Sequence, residues 1–318
     1  MATRTEGRGM GWPLRMFQEE GYYFVTSRCF QGRLLLSPSA EVNEVVGGVL
    51  ARAVQQSAGN VRLHAFTFAS NHFHLLVWAR GTALAGFMQY LRANLSKKVG
   101  RLVDWSGGFW ERRYSAEPVL DDTALVGRLR YVLAHGVKEG LVERSAEWPG
   151  LTCLPQLLGP ARQLFQWFNW TKRWSKRGSE DMETGEGRFA EEIAEPVELV
   201  GEPLPCWKGL GEERRRVVRG LVEAVESEAR ARDTPVMGAR AVRAQHPHTR
   251  PEHLKRSPRP LGHVSTRQAL RELREQYRTF VAAFREAAAR WMRGDFSAPF
   301  PLYSFPPRVV PSPLTRIL

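Results

Sequence analysis

Two histidines one residue apart, His72 and His74, interrupt an otherwise apolar run in Ser70-Asn71-His72-Phe73-His74-Leu75-Leu76-Val77. In an extended strand, side chains alternate between faces. The two imidazoles therefore point one way, while Phe73, Leu75 and Val77 point the other way into a core. Paired neutral imidazoles can clamp one divalent ion. A surface pair of histidines is the commoner reading of an isolated His-x-His. The surroundings favour a site, because an apolar run from Leu63 to Phe68 leads in, Ser70-Asn71 breaks it like a strand-to-strand corner, and Leu-Leu-Val-Trp follows.

A metal site needs a third ligand, and Leu129-Arg130-Tyr131-Val132-Leu133-Ala134-His135-Gly136 offers one. The spacing predicts a helix. Asp121 or Asp122 can cap its start, Leu125, Leu129, Val132 and Leu133 recur at helical period, and Gly136 and Gly140 stand where it would fray or stop. At about 100° per residue, Tyr131 and His135 stack four apart on a stripe that Arg128 shares. A phenol and an imidazole could then reach one site. Read alone, the segment is more simply an ordinary amphipathic helix with a half-buried tyrosine and a terminal histidine.

Taken together, four blocks resemble the single-tyrosine HUH transposases, and within them the REP-associated tyrosine transposases. The first is Gly21-Tyr22-Tyr23-Phe24-Val25-Thr26-Ser27-Arg28 followed by Gln31-Gly32-Arg33-Leu34-Leu35, and the second is the His-hydrophobic-His strand. The third is Gly108-Phe109-Trp110-Glu111-Arg112-Arg113-Tyr114. The fourth runs from Tyr131 to Val142, ends with Trp148-Pro149, and is similar to the family's Tyr-Ile-x-x-Asn-Pro-Val-x-x-Gly-Leu-Val pattern.

The resemblance implies that His72 and His74 bind Mg²⁺ or Mn²⁺, that Tyr131 is the nucleophile, and that a 5′-phosphotyrosine link to DNA is the intermediate. Tyr114 is the nearest rival nucleophile, but it matches an aromatic position of the family. Two departures stand out. His135-Gly136 replaces the family's common Asn-Pro, and Ser70 replaces a proline before Asn-His. His135 is a competent substitute ligand, and a triad of His72, His74 and His135 would shift preference toward Mn²⁺, Zn²⁺ or another transition metal.

A formal net charge of +13 over 318 residues favours a polyanionic partner, although an Arg-rich genome produces the same excess. Arg92, Lys97 and Lys98 form the basic face of a helix that follows the His strand, and Arg112 and Arg113 lie in the third block. These five are the expected DNA contacts, with single-stranded or hairpin DNA as the partner that the resemblance implies. It leaves oligomeric state open, since family members occur as monomers and as homodimers.

Three scattered cysteines, Cys29, Cys153 and Cys206, argue against a disulfide framework. With no long apolar run and a polar, Gly-rich start, the expected protein is soluble and cytoplasmic, without a membrane partner.

The expected fold class is α+β. Strand-like runs at 22–28, 61–68 and 73–79 bracket helices near 40–56 and 83–100, giving an antiparallel sheet with helices packed on one side. The resemblance implies a ferredoxin-like form for it, with the tyrosine helix against the sheet near the two histidines. A largely helical basic C-terminal extension follows.

The expected division is a catalytic domain at 17–155, an aromatic-basic segment and acidic linker at 156–205, a helical basic accessory region at 206–297 and a Pro-rich tail from 298 to 318. Within the second part, Phe165 to Trp174 would either stack unpaired bases or form an amphipathic helix, and a strand is expected at Pro196 to Val200. In the third, Glu212 to Arg232 and a long helix capped by Ser265 or Thr266 are expected. The histidines at 246, 248, 253 and 263 show no ligand spacing and read as loop residues.

The function this suggests is a metal-dependent DNA-strand transferase. A DNA-binding regulator that kept the fold but lost cleavage is the main alternative, and a phosphodiesterase that activates water is a third.

Overall fold

A computed structural model describes residues 14–169, 194–232, 234–252 and 260–308. Strands β1 (Glu20–Arg28), β2 (Val61–Ala69), β3 (His72–Arg80) and β4 (Ser115–Val119) form one antiparallel sheet in the order β2-β3-β1-β4. Helices α1 (Ala40–Gln56) and α2 (Ala83–Leu102) connect β1 to β2 and β3 to β4. This βαββαβ order is the ferredoxin-like arrangement. The predicted strands and helices are present, the helix at 40–56 with the expected bounds and the others longer by one or two residues. Pro118 confines β4 to an edge, where its missing N–H costs no ladder bond.

Alternation along the central strands assigns the two faces. Phe73 points toward α2, where it meets Trp110 edge-on, and the Trp110 indole donates to the Arg92 carbonyl. Phe24 and His74 point the other way and meet Tyr131. That second face is covered by α3 (Asp122–Leu133) and the short α4 (His135–Lys138). Of the two candidate caps, Asp121 accepts from the Ala124 N–H.

Both sheet edges are covered, which blocks further strand pairing. The chain at 151–153 hydrogen-bonds along β2, and His263 bonds to Pro118 and Leu120 at β4.

The stretch from Phe165 is a correction to expectation. Where a helix or a base-stacking platform is expected, Arg162–Phe168 forms strand β5, paired with β6 (Ala194–Val200). Phe165 and Trp167 face inward and are buried, Phe165 against α1 and the Trp167 ring against Tyr90 and Lys98 of α2. Gly47 and Gly48 permit this, since a Cβ on Gly47 would lie 2.3 Å from the Phe165 ring and one on Gly48 2.3 Å from the Gln166 carbonyl oxygen. The strand expected at 196–200 is present, and residues 170–174 lie outside the described residues.

The C-terminal half contributes α6 (Gly211–Arg230), α7 (Ala239–Ala244) and α8 (Arg267–Met292), after the short α5 (Leu154–Leu158). Thr266, rather than Ser265, caps α8. Its aromatic stripe meets the Pro-rich tail, with Phe300 packed on Phe284 and Trp291. Val225 of α6 and Val242 of α7 join Ala134, Val137, Val142 and Trp148 in a small second core beneath α4. Among the described residues, no helix is long and apolar enough to cross a membrane.

Candidate metal centre and tyrosine site

The β2–β3 hairpin turns at Ser70-Asn71, and this places His72 at the very start of β3. The Asn71 amide donates to the Gly32 carbonyl (3.0 Å), which fixes its orientation and leaves its carbonyl oxygen 2.6 Å from His72 Nδ1. His72 therefore carries its proton on Nδ1 and turns a lone pair on Nε2 inward. His74 repeats the pattern. Thr26, directly opposite on β1, sits with Oγ1 2.9 Å from His74 Nδ1, while His74 Nε2 is buried with no hydrogen-bond partner among the described residues.

His135 closes the group from α4. Its Nε2 lies 2.7 Å from His72 Nε2, and one nitrogen from each of His72, His74 and His135 falls within 4.8 Å of the others. His74 and His135 are each only 5% exposed. Burial pushes all three imidazoles below their ordinary value of 6.5, and for His72 and His74 the neighbouring imidazoles and the cations Arg28 and Lys138 add to it. Neutral rings with convergent nitrogens are the form that binds metal.

The residues fit a divalent ion. Ligand nitrogens about 2.0–2.1 Å from a zinc-like ion stand roughly 3 Å apart, close to the separation of His72 and His135. Asn71 and Thr26 act as the outer partners that such rings ordinarily have. The three histidines can hold a metal, and nothing in their geometry selects which one.

Tyr131 stands beside this group, one turn before His135. Its ring is perpendicular to that of His74 at 5.3 Å and lies 6.4 Å from that of His135. Lys138 places its ammonium 3.7 Å from the Tyr131 ring centre, and Arg128 holds its guanidinium carbon 5.2 Å from it. Arg128, Tyr131, His135 and Lys138 follow one stripe at i, i+3, i+7 and i+10, which continues from α3 into α4 because Ala134 between them keeps right-handed helical angles. Lys138 escapes the sequence reading despite lying on that stripe.

Gly136 allows the helix to pass under Trp148. A Cβ there would lie 2.8 Å from Trp148 Cε3 and 3.0 Å from Val142 Cγ2. The glycine that departs from the family's proline is thus matched by a close-packed indole, itself held by a 3.0 Å bond from Nε1 to the Phe68 carbonyl.

No protein-family model matches the chain, and no curated protein matches it. Among solved structures, it is similar to a REP-associated tyrosine transposase bound to a REP hairpin, with 13% identity and a TM-score of 0.39 over 58% of this chain and 98% of that one. It is also similar to a candidate transposase from Deinococcus radiodurans R1, with 16% identity and a TM-score of 0.28 over 40% and 95% of the two chains. An aminoacylhistidine dipeptidase from Vibrio alginolyticus follows at 14% identity and a TM-score of 0.22, over 69% and 40%. The first is named as a REP-associated tyrosine transposase, the group that the sequence blocks resemble, and the second only as a transposase. At these scores none of the three bears on what the chain does.

Of the five basic residues expected to contact DNA, Arg92, Arg112 and Arg113 lie together, whereas Lys98 is turned away from the surface. Lys97, Arg112 and Arg113 are exposed. Arg92 is half-buried, donates to the Arg112 carbonyl (2.7 Å) and packs over Trp110. Lys98 turns inward, is only 6% exposed, donates to the Phe168 carbonyl and lies 4.2 Å from the Trp167 ring centre. Burial lowers its pKa to about 8. It ties β5 to α2 instead of facing solvent.

A pair with no signature in the sequence borders the same sheet face as the three histidines. His263 pairs with Glu117 at 2.9 Å and meets Phe24 edge-on. It is an anchored residue rather than a loose loop histidine. Residue 253 lies outside the described residues.

Proposed function

We propose that this chain cuts and rejoins single-stranded or hairpin DNA through a covalent link to Tyr131, using a divalent ion held by His72, His74 and His135. The observation that carries the reading is the convergence of three neutral imidazoles, His74 and His135 buried and His72 partly so, directly beside a half-buried tyrosine flanked by cations.

In this mechanism the Tyr131 oxygen attacks phosphorus and forms a phosphotyrosine bond to the 5′ side. The bond from phosphorus to the 3′ oxygen breaks. The phenol loses its proton, and the departing 3′ oxygen leaves as a hydroxyl after taking one up, so protons balance. The reverse reaction rejoins the strand, because the phosphotyrosine conserves the energy of the broken bond. A bound divalent ion would supply Lewis-acid polarisation of the phosphoryl oxygens. Asn71 and Thr26 keep the His72 and His74 rings oriented, and Lys138 and Arg128, which flank the Tyr131 ring, meet the negative charge of the phosphate. The proposed catalytic unit is 17–155, with Lys97, Arg112, Arg113 and Arg92 contacting backbone phosphates on its surface.

The test is incubation of the full chain with labelled hairpin and single-stranded DNA from the flanks of its own gene, with Mg²⁺ or Mn²⁺, read on a denaturing gel. A protein–DNA adduct that disappears in Tyr131→Phe is expected. Nicking that survives Tyr131→Phe would mean hydrolysis by activated water. Binding with neither nick nor adduct would leave a DNA-binding regulator of the same fold.

A further inference from the structure

On the side of Tyr131 away from the histidines, a cleft of about 410 Å³ opens between the tyrosine helix and the end of α6. Arg128, Arg130, Tyr131 and Lys138 form one wall, and Glu228 and Arg232 of the C-terminal half form the other. The cleft is strongly cationic. Its single lining carboxylate, Glu228, is paired with Arg130, and Lys138 also lies 3.6 Å from Glu139. Arg232 is set in place by donating to the Lys138 carbonyl at 3.3 Å. Arg128, Lys138 and Arg232 therefore bring three positive charges to one concavity that Tyr131 also lines. Like charges gathered in this way repel, and a phosphate group offsets that repulsion while accepting several charge-assisted hydrogen bonds.

The geometry points to a phosphate pocket for the DNA strand that Tyr131 engages, built jointly by the tyrosine helix and the C-terminal helix α6. It rests on the reading of Tyr131 as the residue that meets DNA. Its consequence is that the C-terminal half is part of the tyrosine site. The small core of Val225, Val242, Val137 and Trp148 holds α6 in register for this task. The phosphate is either an internal diester of the strand or a terminal monoester, and both have the same recognition chemistry.

The test uses the full chain carrying Tyr131→Phe, without divalent metal, so that only reversible binding is read. Fluorescence anisotropy follows a labelled single-stranded oligonucleotide with a 5′-hydroxyl or a 5′-phosphate as salt is raised. Arg128→Ala, Lys138→Ala and Arg232→Ala are each expected to weaken binding roughly three- to tenfold and to reduce the slope of log K against log salt by about 0.7. Arg232→Lys should retain most of the affinity, and Arg278→Ala on the exposed face of α8 should change neither quantity. Equal losses on both oligonucleotides assign an internal diester, and losses confined to the 5′-phosphate assign a terminal monoester.

Unchanged affinity and slope would overturn the assignment. So would weaker binding with an unchanged slope, which would signal lost packing instead of a lost phosphate contact. Failure of the tyrosine reading is separately visible, as absence of adduct in the wild-type chain, and leaves these binding constants intact.

Discussion

Helix α2 and the α3–α4 pair are both amphipathic, both basic, and packed on opposite faces of one sheet. They use their cations differently. On α2, the best-placed lysine, Lys98, is turned under β5 and tied to a backbone carbonyl beside Trp167. On α3–α4, Arg128 and Lys138 flank a tyrosine and border an open cleft. One face is a structural clamp and the other is chemically equipped. A basic stripe on a helix thus says little about its task until the element packed over it is known.

The sharpest separation of the two faces should come from the histidines. His74→Ala is expected to cut Mn²⁺ or Zn²⁺ affinity, measured by calorimetry, by more than the ten- to hundredfold typical of outer-shell changes. The metal-free fold should persist, since a buried unpartnered imidazole nitrogen is removed. Unchanged affinity would strip the triad of its role.

Lys98→Ala should do the reverse. Loss of a buried charged hydrogen bond should cost about 1–3 kcal/mol in urea unfolding, with oligonucleotide affinity and its salt slope intact. A fall in that slope would place Lys98 on the DNA and erase the contrast. Lys138→Ala, by comparison, should leave stability within about 0.5 kcal/mol.

Gly136→Ala tests whether the family's proline position has been re-used for packing. Crowding Trp148 and Val142 should destabilise the chain by about 1–2 kcal/mol. It should also displace His135 enough to weaken metal binding, and an unchanged melting temperature would mean that Trp148 shifts freely.

A last test is the effect of pH on the metal-free protein. His72, His74 and His135 are held below 6.5 in the folded state, as is the buried His64. The unfolded chain therefore takes up protons first as pH falls. Stability is full above about pH 6.5 and declines below it, until the folded-state values are reached. Urea midpoints on either side of that pH should show the decline, and it should be shallower in His74→Ala. An equal slope in that variant would assign the effect to His64 or to other groups.

Much of the site is legible in the sequence. The two-residue period of β3 sends His72 and His74 to one face, and the helical period puts Tyr131 and His135 on one stripe. Local capping chemistry narrows the helix starts to a few candidates, among them Asp121 and Thr266. Long-range partners are not legible. Thr26 becomes a partner of His74 only through the β1–β3 register, and Glu117 meets His263 across nearly half the chain. Phe165 is ambiguous in the sequence because large rings suit both a helix face and a strand, and Gly47-Gly48 far upstream decides between them.

The sequence by itself determined the order of the first three strands and two helices, the paired imidazoles and the tyrosine stripe, because these follow from periodicities of two and 3.6 residues that are local to each segment, whereas the five-residue edge strand β4 carries no such signal. Tertiary structure alone decided how closely the expected third ligand His135 approaches His72 and His74, that Lys98 is buried while Lys138 borders a cleft, and that α6 walls the tyrosine site. Those outcomes depend on which surfaces cover one another, and burial is a property of the assembled chain, not of any residue's neighbours in sequence.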